Sequence, residues 1–214
     1  MLKARSRATK FFHLTALTFA CVAIGLAAPG ASLADSHHGS GGKGHEGKGE
    51  ARIQWVNHFD LLSGDPSVTT TSSLSTNSGV GGGLTALVIS SNTTGDVDSF
   101  GGNKVVQMAL ELQPKTRLVG VRVCYELSDP GPSGSFIDQI RLAQIQDPPA
   151  SALVLLDDGT AQNASGPTCV NSALASPPIR AKDGSVLLSL RVNFSNTADL
   201  IAVRAVGLLV NPED

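Results

Sequence analysis

The sequence predicts an all-β chain folded as an antiparallel β-sandwich of about eight strands, with the jelly roll as the expected form. Two stretches alternate apolar and polar residues, and the breaks between apolar runs carry turn chemistry at short spacing. In SVLLSLRVNF, Val186, Leu188, Leu190, Val192 and Phe194 share one face, while Ser189, Arg191 and Asn193 share the other. In LVGVRVCYEL, Val119, Val121, Val123, Tyr125 and Leu127 oppose Arg122, Cys124 and Glu126. Each reads as a half-buried strand. No segment holds a helical period with caps.

The opening MLKARSRATK carries Lys3, Arg5, Arg7 and Lys10 and no acid, and the apolar run FFHLTALTFACVAIGLAA follows it. Ser32 and Ala34 then give the small residues of a cleavage site, so residues 1–34 are expected to be a secretory signal cut after Ala34. An uncleaved anchor is the alternative, because 18 residues just suffice to span a bilayer. Cys21 sits in mid-run after Thr18, Phe19 and Ala20, an unsuitable setting for lipidation. Cleavage would remove four bases and no acids, leaving 12 bases against 18 acids and a formal charge of −6. Such an acidic chain, with its bases scattered, gives nucleic acid nothing to hold, and no later stretch is apolar enough for stable membrane insertion.

Residues 35–50, DSHHGSGGKGHEGKGE, have no side chain that could bury surface against chain entropy, and are expected to form a flexible tether. Residues 51–214 are then one β-sandwich domain, long enough to bury a full core. Its first candidate strand lies in RIQWVNHF at 52–59. The stretch TTTSSLSTNSGVGGG at 69–83 is low in complexity and reads as a long loop or second linker. Further strands are expected in GLTALVIS (83–90), KVVQMALEL (104–112), SFIDQIRLAQI (135–145) and ALVLLD (152–157). The last run, DLIAVRAVGLLV, is apolar on both faces apart from Arg204, the mark of a central strand.

Two cysteines remain after cleavage, Cys124 and Cys169, and an even count in an exported chain reads as one disulfide. Cys124 falls on the polar face of its strand, so the bridge is expected to pin GPTCV (166–170), as a loop, over that face.

Candidate chemistry is sparse. His37, His38, His45 and Glu46 could take up a transition metal weakly, but a glycine chain supplies no fixed geometry. In DVDSFGG, Asp96 and Asp98 resemble the start of a calcium loop, but Phe100 stands where an oxygen ligand is needed and no bidentate acid follows. Asp157 and Asp158 before Gly159 read as a hairpin turn. The Gly-x-Ser-x-Gly elbow is missing, and His58, the one histidine within the domain, has Asp60 two residues on. For carbohydrate binding, aromatic residues make up only 4% of the chain. Tyr125, Phe136 and Phe194 fall in core phase; Trp55 is the one possible platform, although its place beside Val56 favours the core. The sequons at Asn92, Asn163 and Asn193 are of the frequency chance allows in so Ser/Thr-rich a chain.

The strands GVRVCYEL and SFIDQIRLAQIQDPPASALVLLDDGT, the later GPTCV and the closing GSVLLSLRVNF and VRAVGLLV resemble a group of exported bacterial β-sandwich proteins with one disulfide and no assigned activity. The resemblance covers roughly residues 52–210 and implies strand and cysteine layout only.

The expected function is therefore that of an exported, non-enzymatic module acting by binding or assembly in the periplasm, at the cell surface or outside. The alternatives are a glycan- or calcium-dependent binding module, with Trp55 exposed and Asp96 and Asp98 converging, and a small hydrolase with His58 in a cleft. No cofactor is expected unless calcium or a transition metal fills the sites named. The partner is a protein or glycan, or a second copy joined through free sheet edges.

Overall fold

A computed structural model describes residues 52–73, 86–98, 100–146, 151–175, 178–180 and 184–213. The described residues all fall within one compact unit, His45–Asp214. The expected signal segment, His37, His38 and His45 all lie outside the described residues.

The described residues hold twelve strands in two antiparallel sheets, with a single 3-10 turn, His58–Asp60, as their helical element. Eight strands form the jelly roll: β4 (Ala86–Ser91), β5 (Val105–Leu110), β6 (Thr116–Leu127), β7 (Phe136–Ile145), β8 (Ala152–Asp158), β9 (Thr168–Ala173), β11 (Ser185–Asn193) and β12 (Ile201–Pro212). In the first sheet they run β4-β12-β6-β9, and in the second β5-β11-β7-β8. Apart from the β7–β8 hairpin, each successive strand of this set crosses to the other sheet, the path of two interlocked Greek keys.

The expected count of about eight strands is thus too low: four short strands stand beside the jelly-roll eight, the first of them within the expected stretch at 52–59, and β9 stands where a loop was expected. β1 (Arg52–Val56) pairs with β12 at Val206–Val210, beyond the stretch that β4 occupies. β2 (Leu62–Ser63) adds to β5, β3 (Val68–Ser73) to β4, and β10 (Ile179–Arg180) to β6. Two-residue pairings are too short to show a period. β3 corrects the loop expected from residue 69 onward: its Thr and Ser residues suit a rim strand, where only one edge is paired.

The core follows the alternation in β11, whose Val186, Leu188, Leu190 and Val192 are buried, as is Phe194 just past its end. Tyr125 is buried, and Phe136 packs partly buried against the same cluster. In β6 the expected phase fails at Val119. The pairing with β12 passes from Gly120↔Leu209 to Leu118↔Val210, so Val119 is an extra bulged residue and Leu118 takes the core place. A second bulge explains the two-faced appearance of β12. Pairing skips Arg204, between Val203↔Tyr125 and Ala205↔Cys124, so Ile201 and Val203 point inward before it and Val206, Leu208 and Val210 after it.

The disulfide joins Cys124 to Cys169, as expected. The expected loop is instead strand β9, with Cys169 directly opposite Cys124 in its ladder with β6.

Candidate functional site

The outer face of the first sheet carries the most distinctive surface. β1 begins RIQWV, and its pairing with β12 places Ile53 and Trp55 on that outer face. Trp55 is 55% exposed. The expectation that it belongs to the core is therefore overturned: β1 covers only the far end of β12, and among the described residues no further layer covers its outward side chains.

Trp55 lies directly opposite Gly207. A β-carbon there would come within 2.7 Å of Ile53 Cγ2 and 3.1 Å of Trp55 Cε3. Only hydrogen leaves space for the indole to rest on the strand. The same transverse row continues from Gly207 to Arg122 on β6 and from Arg122 to Asn171 on β9. At about 4.8 Å per strand, Trp55 and Asn171 stand about 14 Å apart. Arg122 Nη1 donates to Asn171 Oδ1 at 3.0 Å, which aligns the guanidinium along the sheet.

A hollow of about 540 Å³ opens on the other side of β1, between it and β5. Gln54, Asn57, Asp60, Glu111 and Gln113 line it together with Trp55. Gln54 Nε2 donates to the Glu111 carbonyl at 3.1 Å, and Asn57 Nδ2 to Asp60 Oδ1 at 2.9 Å. Trp55 thus stands between two polar surfaces.

His58 does not form the arrangement a hydrolase would need. It is half-buried and tilted against Phe59 at 4.3 Å between ring centroids; its Nε2 is buried without a hydrogen-bond partner. Burial holds its pKa below the ordinary value, favouring the neutral ring.

Asp96 and Asp98 are committed to different partners. The Asp96 carboxylate pairs with Arg191, while Asp98 Oδ1 accepts from the Phe100 and Gly102 N–H groups at 2.7 Å each. No group of three or more metal-ligating His, Cys, Asp or Glu side chains occurs among the described residues. The buried cation at this end of the sandwich is Lys104, which the sequence placed only at the start of a strand. It is fully buried, and its Nζ donates to the carbonyls of Thr93, Thr94 and Gly95 at 2.6, 2.9 and 2.9 Å. Burial lowers its pKa, against the raising influence of Asp65, Asp96 and Asp98. Asp65 is itself buried; desolvation raises its pKa, but hydrogen bonds from Ser67 and the attraction of Lys104 leave it below the ordinary value.

Asp157 and Asp158 close β8 rather than forming a free turn. Asp157 pairs with Arg141 at 3.0 Å. Asp158 accepts from Ser172 Oγ at 2.6 Å, tying β8 to β9 across the two sheets.

Sequence reading identified Trp55 and put Arg122 on a polar strand face, but missed Gly207, Asn171 and the hollow. A glycine inside an apolar strand signals close approach of another group. Asn171 became visible only with β9, which sequence reading had taken for a loop.

No protein family's sequence profile matches the chain, and no curated protein matches it. Three solved structures share 11–14% identity with it at TM-scores of 0.39–0.45. One is the N-terminal part of Clostridium thermocellum endo-1,4-β-D-xylanase 10B, its CBM22-1 and GH10 modules complexed with xylohexaose (11% identity, TM-score 0.45). That alignment covers 76% of this chain but only 29% of the other, so this chain spans less than a third of that protein. Another is the C-terminal family 22 carbohydrate-binding module of Clostridium thermocellum Xyn10B (12% identity, TM-score 0.40, 77% of this chain and 97% of that one). A third is the Stig cyclase Fisc from Fischerella sp. TAU (14% identity, TM-score 0.39, 76% and 90%).

Proposed function

We propose that the protein is an exported, non-enzymatic module that binds a glycan on the outer face of its first sheet. The supporting observation is the single exposed indole of Trp55, resting on Gly207 and aligned with Arg122 and Asn171. A pyranose ring offers C–H groups on one face and hydroxyls around its rim. The electron-rich indole face attracts those C–H groups. Amides and a guanidinium beside it supply donors and acceptors for the hydroxyls. The Cys124–Cys169 bridge suits an oxidising compartment, in keeping with the signal-like opening.

Affinity electrophoresis through gels holding soluble polysaccharides tests the reading. At least one neutral or acidic glycan should retard the native chain, and Trp55→Ala should run freely while melting as the native chain does. Equal retardation of the two would refute the site.

Assembly is the second reading, and it rests on β8. Among the described residues this strand pairs with β7 alone and ends its sheet, and it exposes Leu153 and Val154 to 46% and 49%. Such a rim invites a second copy. Sedimentation over a hundredfold concentration range should then show a dimer that Val154→Lys abolishes; a monomer throughout would remove this reading.

A further inference from the structure

We infer that the ligand of the Trp55 surface is an acidic glycan, a chain carrying uronate carboxylates, with Arg122 as the residue that takes the carboxylate. The inference rests on the binding reading above and deepens it. Its basis is the distribution of charge. Although the chain has more acids than bases, the outer face of the first sheet is biased the other way. Among the described residues Arg117, Arg122, Arg180 and Arg204 stand there against Glu126 and Glu213.

Both glutamates are engaged. Glu126 pairs with Arg204 beside the β12 bulge, and Glu213 lies 3.2 Å from Arg180 and 3.7 Å from Arg117. Arg122 has the neutral Asn171 as its partner, and no carboxylate pairs with it among the described residues. One N–H of the guanidinium is directed along the row to Asn171. The planar fork retains donors for a carboxylate, which it matches in a bidentate manner. Asn171 fixes the orientation before a ligand arrives, so little ordering cost remains on binding.

Charge also gives the bound chain a direction. Asp60 and Glu111 line the hollow on the far side of Trp55, opposite the Arg122 row. A uronate is repelled there and attracted to Arg122, so the acidic unit lies over β6 while a neighbouring sugar stacks on the indole. The register places Trp55 and Arg122 two strands apart, about 10 Å, a distance that adjoining units of one chain can bridge.

Calorimetry of the full chain tests this with homogalacturonan, alginate and glucuronoxylan oligosaccharides, each before and after carboxyl reduction, and with polyglutamate. At least one uronate oligosaccharide should bind at least about tenfold more tightly than its reduced form, the gain expected of a charge-assisted pair. Arg122→Gln should remove that preference and leave weak binding to the reduced form, whereas Trp55→Ala should remove both. Equal binding of acidic and reduced forms would overturn the acidic ligand yet leave the glycan reading standing. Polyglutamate binding as tight as the best uronate would also overturn it, by showing attraction to any polyanion. Failure of every acidic and neutral form to bind would overturn both.

Discussion

Trp55 and Gly207 face each other across the β1–β12 ladder, and the indole occupies the space that any larger residue at 207 would fill. The platform therefore depends on a missing side chain in a central strand as much as on the aromatic ring itself. Gly207→Ala places a methyl against Ile53 and Trp55 and should destabilise the fold by about 1–3 kcal/mol, as overpacking does. It should also displace the indole. Because Trp55 is the chain's one tryptophan, its emission reports this alone. An unchanged spectrum and unchanged denaturation midpoint would show that the two residues are not in contact.

Lys104 holds three carbonyls in the turn at Thr93–Gly95 and is itself fully buried. Lys104→Met should cost about 3–5 kcal/mol, because it leaves buried carbonyls and the Asp65 carboxylate uncompensated. Urea denaturation followed by circular dichroism measures this. The ammonium already supplies the cation for these oxygens, so a chelator should leave the melting temperature of the native protein unchanged. A chelator-induced fall would instead point to a metal at the Asp96–Asp98 turn.

The bridge between Cys124 and Cys169 closes a sequence separation of 45 residues. Its reduction should lower stability by up to about 4 kcal/mol in the chain-entropy account. The site should feel the loss as well, because Asn171 lies two residues from Cys169 on the strand that the bridge holds. Comparing melting and glycan binding with and without reductant checks both effects.

The buried, unpartnered Nε2 of His58 gives a pH dependence of known sign. Burial depresses the folded-state pKa below the unfolded value of about 6.5, so the unfolded chain takes up the proton first. This residue's contribution is then intact above about pH 6.5 and is lost as pH falls from there through the depressed folded value. His58→Gln should flatten the stability profile in that window. A profile equally steep in both proteins would assign the acid sensitivity to other groups.

The architecture was legible wherever one face of a strand meets the core and the other does not. β11 shows this at each alternate residue from Val186 to Val192. Legibility failed where pairing rather than burial defines the strand. β9 has few apolar residues to mark a phase and is recognisable only through its ladder with β6. β12 hid its phase because the Arg204 bulge joins two alternating runs out of step. The site failed for a related reason: whether Trp55 faces outward depends on β1 lying beside β12 with no described strand beyond it, a fact about neighbours distant in sequence. Arg122 was legible as an outward residue, but its closeness to Trp55 is set by two ladder registers that no local pattern contains.

The most direct measurement is a fluorescence titration of Trp55 with a uronate oligosaccharide and its carboxyl-reduced counterpart, run on the native chain and on Arg122→Gln. The structure predicts a saturable change in emission for the native chain, reached at lower concentration with the uronate form, and loss of that difference in the variant. An emission unmoved by any glycan at saturating concentration would contradict the account, because the indole would then take no part in binding one.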